Sequence, residues 1–227
     1  MEDSRENLPF TGYECETLAQ IYRVPPDRRL WGKSAKIDPY KTRLQDIQIL
    51  HSSHHGKSNL NDPLASVLEL ADGNLTLAQL LTWRFPNLAD AFISACETHL
   101  SRPEITDDIL TIATGFLCAG ARSVVSTLWS VEDFASALLA LFYYENRFEG
   151  LSRPRALQQA QQRLRFLTGK ELEETYKSEL ESYLQRRFEG DKDALGYRQH
   201  LLQRCFKEEF PFPHPYFWAG FMSQGLA

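Results

Sequence analysis

The chain has 227 residues, of which 43% are hydrophobic and 12% aromatic, enough for one large domain with a substantial core. Charged residues make up 24% and the formal net charge is −5, which offers no broad basic surface, so no nucleic-acid partner is expected. No window approaches the eighteen or so uninterrupted apolar residues of a membrane span, and the opening MEDSRENLPF lacks the basic-then-apolar build of a signal peptide, so a cytoplasmic protein with no membrane partner is expected.

In chain order, LPFTGYECETLAQIYRV (8–24) can form an amphipathic helix from about Glu14. RRLWG (28–32) offers a weak strand, and a short helix follows before the first strongly apolar run, IQILHS (47–52). Three further runs of the same kind, ADAFISAC (89–96), ARSVVSTLW (121–129) and PYFWAGFMSQG (215–225), suit strands buried on both faces. Helical patterns alternate with them. LTLAQLLTW (75–83) has Thr76 as cap, TDDILTIATGFLCAG (106–120) starts at a threonine and two acids and ends at Gly120, and VEDFASALLALFYYENRF (131–148) starts on acids and has Arg147 near its end. RPRALQQAQQRLRFLTG (153–169) places Pro154 in a first turn and Gly169 at a stop. Residues 170–210, dense in Glu, Lys and Arg, read as a charged helical insertion within a single domain spanning 1–227, and the Pro-rich PFPHP (211–215) leads back to the last strand. Strand-helix alternation predicts an α/β fold with a mostly parallel sheet and helices on both faces.

Reactive groups in open parallel sheets collect at the C-terminal ends of strands. Two of the runs end in such residues: ILHSSHHG delivers His54, His55 and Gly56, and AFISACET delivers Cys96, Glu97 and Thr98. A cysteine with an ordinary pKa near 8.5 is only a few per cent thiolate at neutral pH, and an imidazole in reach activates it. A glycine directly after the histidine lets a backbone N–H approach a substrate carbonyl. A cysteine that ends an apolar strand also suits a small buried hydrophobe, and a histidine there also suits a hydrogen-bonded loop residue. Cys15, Cys118 and Cys205 fall inside helical patterns and read as structural thiols; no C-x-x-C pair exists. A metal site built on HSSHH would need its histidines on one face, whereas a strand points His51 and His54 oppositely, and no H-E-x-x-H accompanies them. No metal or cofactor is expected.

With LHSSHHG and FISACET in place, the sequence resembles the CHAT family. These are caspase-like domains named for association with the cyanobacterial protein HetF and with TPR repeats, and they belong to the caspase, separase and gingipain superfamily of cysteine peptidases. LPFTGYECETLAQIY, with Glu14 and Glu16 as candidate acids, GFLCAGARSVVSTLWSVEDFASALLALFYYENRFEGL, PRALQQAQQRL and HPYFWAGFMSQG extend the resemblance over nearly the whole chain. It implies a caspase-like three-layer sandwich and a cytoplasmic cysteine endopeptidase that cleaves proteins or peptides in a bacterial regulatory pathway. His55 is implied as base and Cys96 as nucleophile, with the backbone N–H groups of Gly56 and Cys96 as the oxyanion hole. LWSVED (128–133) falls where the superfamily builds the pocket for the residue before the cut, so Glu132 and Asp133 become candidate S1 acids for a basic side chain; acids there equally suit the first turn of a helix. Family domains carry additional strands ahead of LPFTGYECETLAQIY. The expectation is therefore an N-terminally short domain whose sheet is completed by a partner chain, TPR-containing or other, and which behaves poorly as a monomer. The alternative function is a catalytically weak or inactive CHAT-type scaffold that binds peptides or partner proteins.

Overall fold

The computed structural model describes residues 8–59, 61–98 and 111–226, with the backbone alone for 95–98. The described residues form eight α-helices and six strands. The sheet order is β3(Gly73–Thr76), β2(Val67–Leu70), β1(Ile49–Lys57), β4(Asp90–Thr98), β5(Ser123–Thr127), β6(Phe221–Gly225). β1, β4 and β5 are mutually parallel, while β2, β3 and β6 run antiparallel to their neighbours. The α/β sandwich is as expected, but a mostly parallel sheet is corrected to a mixed one with a parallel centre. The reason lies in Val67–Thr76, where Leu70 and Gly73 pair across the two-residue turn Ala71–Asp72. That hairpin is short enough that its second strand merges, in sequence, with the helix pattern that follows.

Period-two alternation in the central strands feeds two cores. Phe92 and Val125 face one side, where α1(Pro9–Ile21), α5(Asp133–Phe148), α6(Arg153–Phe166), α7(Gly169–Arg187) and α8(Lys192–Lys207) pack. Ala91, Ile93 and Val124 face the other, against α2(Ile37–Leu44), α3(Leu77–Leu80) and α4(Ile112–Ala119). Buried residues run without a break from Phe134 to Tyr144 in α5, because this helix is enclosed by the sheet on one side and by α1 and α6 on others.

Several local expectations shift. The strand expected over 28–32 does not form; Pro25 and Pro26 set a 3₁₀ turn over Pro26–Arg28, and a second covers Gly32–Ser34. The helix expected over 75–83 contracts to Leu77–Leu80, with Thr76 and Gln79 closing a capping box at its start. The segment 106–110 lies outside the described residues, and Thr111 caps α4, which ends as expected at Gly120 with φ +119. Gly169 begins a helix rather than ending one. Thr168 accepts from the Glu171 N–H at 3.1 Å while the Glu171 carboxylate accepts from the Thr168 N–H at 2.9 Å. A Cβ at Gly169 would stand 2.3 Å from the Glu208 carbonyl oxygen, so glycine is required by the close approach of the end of α8. The charged stretch 170–210 forms the α7–α8 helical pair, and its Leu172, Tyr176, Leu180, Leu184, Leu202 and Phe206 enter the same core as α5.

Candidate functional site

β1 and β4 run in register over nine residue pairs, from Ile49↔Asp90 to Lys57↔Thr98. In that ladder His55 is the Cα partner of Cys96, and Gly56 that of Glu97. The two stretches picked out by their chemistry are thus brought to one level of the sheet, near the C-terminal ends of two parallel strands. The strand continues through His55 and Gly56 to Lys57, where a loop was expected, and the hairpin reaches it there through Gly56↔Leu68 and Lys57↔Val67. Lys57 adds an ion pair to the buried Glu69 of β2, Nζ to Oε1 at 3.0 Å.

Alternation sorts the polar run HSSHH onto the two faces of β1. His51 and Ser53 lie on the α1 and α5 side, and His55 shares their parity. The His51 ring packs against Phe92 and edge-on to Tyr144, and its Nε2 stands 2.9 Å from Oε1 of Glu14. Glu14, 1% exposed, also accepts from the Ser53 hydroxyl at 3.0 Å. Ser53 meets Thr11 Oγ1 at 3.2 Å, and Thr11 donates to Asp133 Oδ1 at 3.3 Å. A polar chain therefore links the His55 face of β1 through α1 to the start of α5. Nothing in the sequence periodicity announced it, although five successive polar residues inside a strand flanked by apolar ones were the available sign.

Of the two candidate S1 acids, Glu132 is the N-cap of α5 and accepts from the Ala135 N–H at 2.7 Å. Asp133 accepts from the Phe10 N–H at 2.8 Å and so ties α1 to α5. Burial pushes both carboxyls up. For Glu132 the helix N–H groups oppose the shift; Asp133 is pushed up to about 7, chiefly by desolvation, with Glu132 and Glu14 adding to it and the Phe10 N–H and Thr11 hydroxyl opposing it. Glu16 reaches Arg186 at 3.5 Å, away from β1.

His54 occupies the opposite face and is fully buried. Its Nδ1 lies 2.9 Å from the His55 carbonyl oxygen and its Nε2 2.8 Å from Ser52 Oγ, which meets the Tyr40 hydroxyl at 3.1 Å. The three histidines of the run are thereby divided between two faces. Cys15 is buried in α1, Cys118 is exposed on α4, and Cys205 is partly buried, its thiol pushed up to about 11 by desolvation. Among the described residues no helix is long and apolar enough to cross a membrane.

A search of curated proteins returns no match. The family model of the CHAT domain, by contrast, matches residues 2–226, a span that includes both strands of the His55 and Cys96 ladder, the Thr11–Glu14 helix and the closing strand β6. The CHAT family is related to cysteine peptidases, and this chain belongs to it.

Proposed function

We propose that the chain is a cysteine endopeptidase with a Cys96–His55 dyad. The observation that carries this reading is the register: His55 and Cys96 are Cα partners on adjacent parallel strands. Neighbouring strands stand about 5 Å apart, a separation that an imidazole and a thiol bridge. In this reading His55 takes the Cys96 thiol proton, the thiolate attacks a peptide carbonyl, and the tetrahedral oxyanion is held by backbone N–H groups of Gly56 and Cys96. Collapse of that intermediate forms a thioester as the amine leaves with the proton from His55. Water, deprotonated by the same imidazole, then releases the acid and restores the thiol.

A preference for Arg or Lys before the cut rests, in the same reading, on Glu132 and Asp133, whose carboxylates already accept hydrogen bonds from Ala135, Phe10 and Thr11. In the same reading a partner strand adds beside the beginning of β1. An apolar cavity of about 270 Å³ lined by Leu18, Tyr22, Leu44, Ile47 and Ile49 lies there, whereas β2 registers with β1 at Gly56 and Lys57.

The test is a panel of fluorogenic peptides with Arg, Lys, Asp or Met before the cut, run on the wild type, Cys96→Ala and His55→Ala. Cleavage by the wild type that both variants abolish supports the peptidase. Silence of all three, with candidate partner chains present, moves the reading to a peptide-binding scaffold.

A further inference from the structure

We propose that His54 is a positioning residue that holds the peptide plane between His55 and Gly56, through a hydrogen-bonded chain running from Tyr40 through Ser52 and His54 to the His55 carbonyl. It adds a residue to the proposed dyad and rests on that reading only for its kinetic consequence.

The direction of the chain follows from the groups in it. A carbonyl oxygen only accepts, so the 2.9 Å bond from His54 to His55 requires the hydrogen on Nδ1. In the neutral imidazole Nε2 is then an acceptor, and the Ser52 hydroxyl at 2.8 Å donates to it. With its one hydrogen committed, Ser52 Oγ accepts from the Tyr40 hydroxyl at 3.1 Å. Tyr40 is 1% exposed, Ser52 and His54 are fully buried, and the bonds lie in a low-dielectric core where successive bonds polarise one another.

The chain ends on the residue expected to act as base. Among the described residues no peptide bond is cis, so the Gly56 N–H points opposite to the His55 carbonyl. Fixing that carbonyl from the α2 side therefore fixes both the backbone of the base and the aim of the N–H assigned to the oxyanion hole. Glycine at 56 has no Cβ to limit its backbone, and the His54 bond adds a side-chain restraint to the β2 and β4 pairings at this peptide. The restraint comes from the core face of β1, so substrate does not need to displace it.

Two variants separate the roles of the ring nitrogens. His54→Asn keeps an amide donor at the position of Nδ1 and gives up the Nε2 acceptor; His54→Leu removes both. For an active wild type, His54→Leu is expected to lower kcat roughly tenfold with KM within about twofold, and His54→Asn to recover most of that loss. A fall in kcat equal in both variants, or one that merely follows the loss of folded protein at the assay temperature, overturns the proposal. A second measurement does not depend on peptidase activity. Nitrogen-15 spectra of the wild type are expected to show His54 as the Nδ1–H tautomer, and amide exchange at Gly56 to rise at least about tenfold in His54→Leu but not in His54→Asn. The Nε2–H tautomer, or unchanged exchange in His54→Leu, refutes the chain even where the enzyme is active, and the expected spectra support it even where the enzyme is silent.

Discussion

Asp133→Asn isolates the cost of a charge in the joint between α1 and α5. The Asp133 carboxyl is pushed from 3.8 up to about 7, with desolvation the largest cause. Between those two values the folded state holds a proton that the unfolded chain has released, so wild-type stability falls as pH rises through this window and the full penalty is present above pH 7. Three units at about 1.4 kcal/mol each set a ceiling of about 4 kcal/mol, and relaxation of the surroundings brings the expected value to about 1–3 kcal/mol. Asparagine keeps an acceptor for the Phe10 N–H, now at 2.8 Å, and its amide can donate to the Thr11 hydroxyl. Titrations remote from this joint are common to both proteins and cancel in the difference, leaving Asp133 and its coupled neighbours Glu132 and Glu14. Urea unfolding at pH 4, 5.5, 7 and 8.5 should therefore show the variant gaining on the wild type as pH rises, with the two nearly equal at pH 4. A constant offset across the series would falsify the desolvated carboxyl, and a variant that loses ground toward pH 8.5 would show that the charge stabilises the joint.

At the opposite end of β4, Asp90 is 4% exposed, and its Oδ2 lies 3.1 Å from Arg153 Nε, 3.7 Å from Arg147 Nε and 3.2 Å from the Tyr143 hydroxyl. Asp90→Ala leaves Arg153 partly buried beside no carboxylate and should cost about 3 kcal/mol in urea unfolding; a loss below about 1 kcal/mol would mean that the arginines find solvent. Gly120→Ala places a Cβ 2.7 Å from the Phe85 carbonyl oxygen at φ +119, so a drop in melting temperature of at least about 3 °C is expected. An unchanged melting temperature would show that the end of α4 relaxes freely.

Much of the fold was legible because its centre is written in strongly apolar runs: β5 and β6 fall within two of them, β1 and β4 begin in the other two and run on past their ends to Lys57 and Thr98, and the all-round apolar α5 follows. The β2–β3 hairpin was not. VLEL and GNLT are four residues each, and the apolar residues of the second continue into LTLAQL, so the helix period masks the strand; the Asp72–Gly73 turn signal between two short alternating runs was the readable clue. Gly169 was misread for a related reason. A glycine after an amphipathic stretch resembles a stop, yet Thr168 followed by Glu171 is a capping box, and the need for glycine comes from the Glu208 carbonyl, a contact made across 39 positions of sequence. At the site, the pairing of His55 with Cys96 could be anticipated from two polar strand ends and the family resemblance. The division of labour within HSSHH could not, since it depends on Glu14 and Thr11 arriving from α1 on one face and Tyr40 from α2 on the other.

The dyad is tested most directly by the pH dependence of Cys96 alkylation with iodoacetamide, followed residue by residue by mass spectrometry in the wild type and in His55→Ala, with the exposed Cys118 as internal reference. Thiolate is the reactive form, so a paired cysteine reacts at lower pH than a free one. The account predicts that wild-type Cys96 reacts at pH 6–7 faster than Cys118, and that His55→Ala moves its profile upward by at least about one pH unit. A Cys96 profile that coincides with that of Cys118 and is untouched by His55→Ala would contradict it.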